Sequence, residues 1–296
     1  MPKIDSQLRL NLSAGLASVL VSTTLVGLKL WALWTTGALS IAASLADSAM
    51  DLLISLAGLG AIVYASRPAD EDHAFGHTAV EDLTSLGQAL FVFASGCAIL
   101  WSGVLRLIRP LPERLSDEGL GVAIMLISAV LTLALVAWQG RVSGATGNKV
   151  VAADRLHYIG DLLPTLGAVL ALFLSGWFGW SRVDSIVAII AALIMIRGAI
   201  GIGTSAWHAL MNRSVPDEEL ARIAEITRDT PGVRAFHDLR TRTAGTMTFV
   251  QVHIELDGGQ TLTEAHAIAH NLKRRIMAAI PQADVIIHMD VFGHAD

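Results

Sequence analysis

The stretch Ser44-Leu45-Ala46-Asp47-Ser48-Ala49-Met50-Asp51 places two carboxylates inside an apolar run long enough to cross a membrane. Asp47 and Asp51 are four residues apart, so on a helix they lie on one face, roughly 6 Å apart. Like charges at that spacing repel each other, and surrounding hydrocarbon raises the cost of each. A divalent cation would compensate both charges. Alternatively, the two side chains line a water-filled cleft or bond to a neighbouring helix.

The composition is that of a membrane protein. Of 296 residues, 53% are hydrophobic and only 16% are charged, against about 25% charged in a typical soluble domain. The net charge of −5 gives no reason to expect nucleic-acid binding. The single cysteine, Cys97, excludes an intrachain disulfide, and its apolar surroundings predict a small core residue. The N-terminus shows no signal-peptide pattern.

The apolar runs predict six membrane spans, each near the ~20 residues that cross a bilayer. They lie at about 11–34, 38–65, 82–108, 118–139, 148–175 and 183–207. An even number puts both termini on one side, and the large polar C-terminal part favours the cytoplasm. The distribution of basic residues supports this orientation only weakly, because Arg106, Arg109 and Arg114 fall on the outer side.

The fifth span carries a second spaced pair, within Ala153-Asp154-Arg155-Leu156-His157-Tyr158-Ile159-Gly160-Asp161. The second and fifth spans enter from opposite sides, and Asp47 and His157 each lie roughly 14 Å deep at 1.5 Å per residue. The Asp47/Asp51 and His157/Asp161 pairs are therefore expected to meet near the midplane. Three carboxylates and one imidazole suit a four-coordinate, zinc-like ion. Asp154 either supports a ligand or lies in water at the helix entrance.

The loop between spans two and three reads Asp70-Glu71-Asp72-His73-Ala74-Phe75-Gly76-His77 after a helix-stopping Pro68. His73 and His77 could bind a second ion with a nearby carboxylate, for which Asp70 is preferred over Asp72. The alternative is a solvated acidic loop without a metal.

After about Ser214 the composition changes to that of a small α/β domain. A charged helix starts near Pro216, two alternating runs at about 233–243 and 246–257 form a hairpin, and a helix at about 262–279 precedes a strand at about 283–290. Six of the ten histidines lie in this part: His237, His253, His266, His270, His288 and His294. Together with Asp290 they predict a surface metal site, and the alternative is that they are structural.

These motifs resemble those of the cation diffusion facilitator family, in particular its bacterial zinc and ferrous-iron efflux type. The resemblance is carried by SLADSAMD, PADEDHAFGH, ADRLHYIGD, FHDLRTRTAGTMTFVQVHIELDG and EAHAIAH followed by VIIHMD, and it covers essentially the whole chain. It implies a six-helix transmembrane domain, residues 1–210, and a ferredoxin-like or metallochaperone-like cytoplasmic domain, residues 211–296. It also implies a homodimer in the bacterial inner membrane that exchanges cytoplasmic divalent metal for protons.

The resemblance also implies three metal sites. The transport site comprises Asp47, Asp51, His157 and Asp161, with His157 and Asp51 carrying protons. The loop site comprises Asp70, His73 and His77. The cytoplasmic site, where metal helps to hold two subunits together, comprises His237, His253, His266, His288 and Asp290. Zn²⁺ is the expected ion, structural in the cytoplasmic domain and cargo in the membrane, with Cd²⁺ and Fe²⁺ as further candidates.

The chain departs from its relatives at two linked positions. Where relatives carry a lysine and an acid that interlock near the membrane–cytoplasm junction, this chain has Ala79 and Asn212. Losing both partners strands no charge, so it costs less than losing one. His270 stands where relatives tend to have an acid, and its role is open.

Two functions from other classes compete with transport. A membrane prenyltransferase also uses aspartates at i, i+4 with Mg²⁺, but it needs basic groups for a diphosphate, and no Arg or Lys is expected at that depth near the site. A metal sensor would use the C-terminal domain alone and leave the four midplane residues without a purpose. Proton-coupled metal flux would distinguish the transporter from both, and the chain is not expected to be an enzyme.

Overall fold

The computed structural model describes the backbone of residues 2–36, 39–108, 119–178 and 183–293, and side chains within 6–35, 44–108, 126–163 and 185–293. Arg109, Arg114 and His294 lie outside the described residues. The chain divides into two compact units, Gln7–Ala206 and Trp207–Asp296 with Met1–Ser6.

In the described residues of the first two-thirds of the chain, six long helices follow one another, as the apolar runs predict. They are α1 (Pro2–Thr36), α2 (Leu39–Ala65), α3 (Ala79–Ile108), α4 (Gly119–Thr146), α5 (Lys149–Phe178) and α6 (Val183–Leu210). Within the described residues, α1, α2, α3, α4 and α6 contain stretches long and apolar enough to cross a membrane. α5 is also 30 residues long, but its side chains are described only as far as residue 163, so the described part is too short to be compared in the same way. The predicted helical membrane region is confirmed.

The helices of this unit pack around α5, which contacts α2, α3 and α4. Small buried clusters, rather than one large core, join them, as expected where lipid covers the outer faces. One cluster combines Ala14, Ile62, Val142 and Val150 from four different helices. Cys97 is exposed on α3, so the prediction of a core cysteine is wrong.

Beyond α6 the chain turns at Asn212, one of two non-glycine residues with positive φ in the described part of the chain (φ 55°). The backbone N–H of Asn212 donates to Ala209 O and that of Arg213 to His208 O, which closes the end of the helix. Asparagine tolerates this left-handed conformation better than most side chains. A local structural role therefore explains Asn212 without a charged partner.

The C-terminal domain is a three-stranded sheet covered on one face by two helices, as the sequence predicts. Its elements are α7 (Asp217–Arg228), β1 (Ala235–Ala244), β2 (Met247–Leu256), α8 (Leu262–Ala279) and β3 (Ala283–Val291). β1 pairs antiparallel with β2 across a tight turn, and β2 pairs parallel with β3 through the α8 crossover. A capping box between Thr261 and Glu264 starts α8. Alternate residues of β2 point to the helices and form the core: Val250, Val252, Ile254 and Leu256, with Ile223, Leu272 and Ile276.

Candidate metal centres

The structure brings Asp51, His157 and Asp161 together inside the membrane unit. Their ligand atoms lie within 4.8 Å of one another. His157 Nε2 is 3.0 Å from Asp51 Oδ1 and 3.7 Å from Asp161 Oδ2. The imidazole is buried, whereas the Asp161 side chain is 48% exposed, so the group has a protected side and an open side. An oxygen-rich group with one nitrogen is a donor set that Zn²⁺ and similar divalent ions accept.

Asp47, the fourth residue of the predicted transport site, is not part of this close group among the described residues. It lies one helical turn before Asp51 on α2 and is exposed. Its place as a ligand stays a prediction.

A buried polar network lies beside the group, and the Tyr158 ring of this network is 5.5 Å from the His157 ring. Asp154 is only 6% exposed, and its Oδ2 accepts hydrogen bonds of 2.7 Å from Ser18 Oγ and from Gln139 Nε2. Ser55 Oγ lies 2.9 Å from Tyr158 Oη, and Tyr158 directly follows His157 in the sequence. The interpretation of Asp154 as a group in water at the helix entrance is therefore wrong. The sequence contained no periodic signal for Ser18 or Gln139, since isolated polar residues in apolar helices can face in any direction.

Lys29 is the functional candidate that the sequence reasoning missed. Its Nζ donates to Ser44 O (3.1 Å) and to Ser48 Oγ (2.6 Å) on α2. With Asp51 and Asp161 it lines one cavity of about 90 Å³. The expectation that no Arg or Lys lies near the site is therefore wrong. A signal was available, because Lys29 is the one charged residue between positions 10 and 46 of the sequence.

The loop before α3 gathers the three residues predicted for the second site. Asp70 Oδ1 lies 3.2 Å from His73 Nδ1, and Asp70 Oδ2 lies 3.2 Å from His77 Nε2. The His73 backbone N–H donates to Asp70 Oδ1 (2.7 Å), and this bond chiefly holds the pKa of the Asp70 carboxyl below its usual range. His77 is buried against the edge of Tyr64, while Asp70 and His73 are half exposed. The half-exposed carboxylate thus lies between one half-exposed imidazole and one buried imidazole.

Strand register builds the third group on the sheet face opposite the helices. His237 pairs with His253 and His253 pairs with His288, so three imidazoles form a row across three strands. Asp290, two residues after His288, contacts all three rings at 3.0–3.5 Å. Glu255, which the sequence reasoning did not select, lies 3.3 Å from His237 Nδ1. Its signal was the pairing of residue 255 with Asp290, which becomes visible only once the register is known.

His266 is the member of the predicted cytoplasmic site that the structure does not bring to this row. It is exposed on α8, where its ring stacks on His270 with centroids 6.2 Å apart. The sheet separates α8 from the histidine row. His266 stays a predicted ligand, and His270 is its neighbour on the helix surface.

Comparison with known proteins covers both parts of the chain. The profile of the "Cation efflux transmembrane domain" matches residues 15–211, and that of the "Cation efflux protein, cytoplasmic domain" matches residues 215–292. The cation-efflux pump FieF of Klebsiella pneumoniae subsp. pneumoniae is 39% identical over 282 residues, covering 95% of this chain and 93% of the pump.

Two further relatives have the same kind of name and a similar identity to this chain. The FieF pumps of Citrobacter koseri and Escherichia coli O139:H28 are 36% and 37% identical over the same shares of both chains. Among solved structures, the metal-bound C-terminal domain of the CzcD transporter from Thermotoga maritima is similar at 25% identity, with a TM-score of 0.26, covering 27% of this chain and 93% of that one.

These relatives are named as efflux pumps rather than enzymes, which excludes the prenyltransferase alternative and supports efflux of divalent metal cations by a multi-pass membrane protein. With both family profiles matched along one chain, the protein belongs to the cation efflux, or cation diffusion facilitator, family and resembles its FieF-like members.

Proposed function

We propose that this protein is a divalent metal cation/proton antiporter that exports Zn²⁺, and also Cd²⁺ and Fe²⁺, from the cytoplasm by alternating access. It acts as a homodimer in the bacterial inner membrane, with both termini in the cytoplasm. Residues 1–210 form the transmembrane domain, and residues 211–296 form the cytoplasmic metal-binding and dimerisation domain.

The observation that carries the proposal is the convergence of Asp51, His157 and Asp161 from two helices within 4.8 Å. Asp47, one turn away, completes the donor set when the ion is bound. Facing the cytoplasm, the carboxylates and the imidazole take up the metal. Facing out, protons on His157 and Asp51 expel it, because metal ligands must be deprotonated. A thiolate-free, oxygen-rich donor set disfavours Cu(I) and suits Zn²⁺, Cd²⁺ or Fe²⁺.

The cytoplasmic cluster fits resident zinc by the chemistry of its donors. His237, His253 and Asp290 offer ligand atoms within 4.8 Å of one another, and His288 Nε2 lies 3.0 Å from Asp290. Bound zinc would screen the carboxylate charge on this face and tie the three strands together. His266 is available on the surface of α8 to a partner copy or to a rearranged domain.

The test is metal flux in proteoliposomes. The purified chain is reconstituted, and uptake of Zn²⁺, Fe²⁺, Cd²⁺ and Mn²⁺ is measured in parallel, with and without a pH gradient. We expect zinc flux that rises when the gradient drives protons against the metal. Flux that ignores the gradient would exclude antiport.

Asp47→Ala tests the fourth ligand in the same assay. We expect zinc flux to fall to the level of empty liposomes while the protein still elutes as a folded dimer. Asp47→His is expected to narrow selectivity toward zinc, because a second nitrogen donor favours Zn²⁺ over harder ions. Asp72→Asn, which removes an exposed carboxylate outside the three clusters, is the matched control and should retain flux. Normal flux in Asp47→Ala would remove Asp47 from the transport site.

A further inference from the structure

Lys29 is a charged side chain in a position that apolar packing cannot explain. It lies in the apolar stretch of α1, where a full charge is costly. Charged residues in such positions are rare and generally have a function. Its ammonium is anchored to α2 by the carbonyl of Ser44 and the hydroxyl of Ser48. Both acceptors are neutral oxygens, so these two bonds hold the charge in place without neutralising it. Ser48 lies three residues before Asp51 on the same helix.

The cavity beside Lys29 connects it to the transport residues. Lys29, Ser48, Asp51 and Asp161 line it together, and Ser128 and Thr132 of α4 add two hydroxyl groups to the lining. Because Asp51 and Asp161 line the same cavity as the ammonium, their negative charges attract it. The cavity therefore already holds one positive charge where a divalent ion is to bind.

We propose that Lys29 is a resident counter-cation of the transport site, which lowers the affinity for the divalent ion and so permits its release. This inference rests on the proposed function, in which the ion binds at Asp51, His157 and Asp161. With the ion absent, the ammonium partly compensates the vacated carboxylates. With the ion present, it repels the ion across a cavity whose effective dielectric constant is well below that of water. Lys29 is thus an affinity-setting residue rather than a ligand.

The test compares zinc affinity and zinc flux in charge-changing variants of the full chain. Zinc binding is titrated in lipid nanodiscs at pH 8, where protons compete least, and the component that disappears in Asp51→Ala is assigned to the transport site. Lys29→Gln is expected to tighten that component about tenfold or more, because a nearby positive charge has been removed. Maximal flux at saturating zinc should fall in the same variant, because release becomes slower.

Two variants separate charge from structure. Lys29→Arg keeps the charge and is expected to stay within about threefold of the parent affinity, since Coulomb repulsion depends on charge and distance. Ser48→Ala removes one anchor but keeps the ammonium, so it should not reproduce the tighter binding. If Ser48→Ala and Lys29→Gln behave alike, Lys29 merely ties α1 to α2 and the proposal fails.

The controls distinguish this proposal from the proposed function. Lys273→Gln removes one positive charge from the other compact unit and should change neither affinity nor flux. In an Asp51→Ala background, Lys29→Gln should have no further effect on zinc binding. If Asp51→Ala leaves binding and flux intact, the transport site itself is misplaced. If Asp51→Ala abolishes both but Lys29→Gln leaves affinity unchanged or weaker, only the role of Lys29 is overturned.

Discussion

At the scale of single residues, the proposed coupling of metal to protons rests on one imidazole nitrogen. Nε2 of His157 faces both Asp51 and Asp161, at 3.0 Å and 3.7 Å. A nitrogen that ligates a metal must first give up its proton, so ion and proton exclude each other at this atom. The proposed exchange of metal for protons therefore needs no long-range relay between separate sites.

His157→Gln tests this competition. We expect zinc affinity of the transport component to fall by at least about 100-fold, since even supporting residues around metal ligands are worth 10–100-fold. Residual flux should lose its dependence on the pH gradient. The measurement is zinc uptake in proteoliposomes at fixed zinc with the internal pH varied. Gradient-dependent flux in this variant would assign proton coupling to other groups.

The loop carboxylate supplies a prediction about pH. The His73 N–H and the two imidazoles lower the pKa of Asp70, so its carboxylate stays ionised at pH values below the ordinary aspartate pKa. The ionised carboxylate contributes fully to stability at pH values above the ordinary aspartate pKa. This contribution is lost only as the pH falls through the lowered pKa of the folded state. Asp70→Asn should therefore weaken zinc binding at the loop by a similar factor at pH 6 and pH 8. A defect that appears only at pH 8 would contradict this assignment.

At the scale of elements, a bulge in β1 sets the position of the first histidine. The β1–β2 register shifts between His237 and Arg240, and Asp238 adopts a positive φ of 49°. Successive side chains of a strand point to opposite faces of the sheet. Without the extra residue, His237 would therefore point to the face opposite His253 and His288. The bulge thus connects a strained backbone position to the metal cluster.

Asp238→Val should disrupt this element, because a β-branched side chain at positive φ costs about 1–3 kcal/mol. The strain would favour an unbulged register, and zinc affinity of the cytoplasmic cluster should fall about tenfold or more for such a cost. Asp238→Gly accepts the same φ and is the matched control, with near-parent affinity. The readout is zinc titration of the full chain carrying Asp51→Ala, which removes the transport component. Equal affinity in both variants would show that the bulge does not position His237.

At the scale of the whole molecule, the histidine row lies on the face of the sheet that α7 and α8 leave uncovered. The side chain of His288 is 62% exposed within one chain, whereas the opposite face carries the core. A metal-bearing face of this kind is accessible to a second copy. In the proposed homodimer, bound zinc at this face stabilises the association.

Removal of metal should accordingly weaken the dimer. We expect a chelator to shift the purified full chain toward monomer in detergent, with the dissociation constant rising about tenfold or more. Added zinc should reverse the shift. His237→Ala with His253→Ala should show the weaker association without chelator, and Asp51→Ala should associate like the parent. A dimer dissociation constant that does not change with chelator would show that the dimer interface lies on other surfaces. The measurement is size-exclusion chromatography with light scattering across a concentration series.

Much of this architecture follows from local sequence pattern. The hairpin across Ala244-Gly245, the last helix and strand, and most of the long helices fall within a few residues of their predicted places, because apolar length and period act locally. The exceptions are α1, which begins well before its predicted span, and α4, which ends well after it. The i, i+4 spacing of Asp47 with Asp51 and of His157 with Asp161 likewise fixes which side chains share a helix face. Asp154 and Cys97 show where such reasoning stops, since burial depends on which neighbouring helix faces them.

By itself, the sequence determined the order and kind of the elements, the spaced acidic and histidine pairs, and the family to which they belong. Only the tertiary structure decided that Lys29 shares a cavity with Asp51 and Asp161, that Asp154 is held by Ser18 and Gln139, and that His266 lies apart from the histidine row. The physical reason is that spacing along one helix or strand is set by backbone geometry. Contacts between elements depend instead on their rotation, register and packing, which involve the whole chain at once.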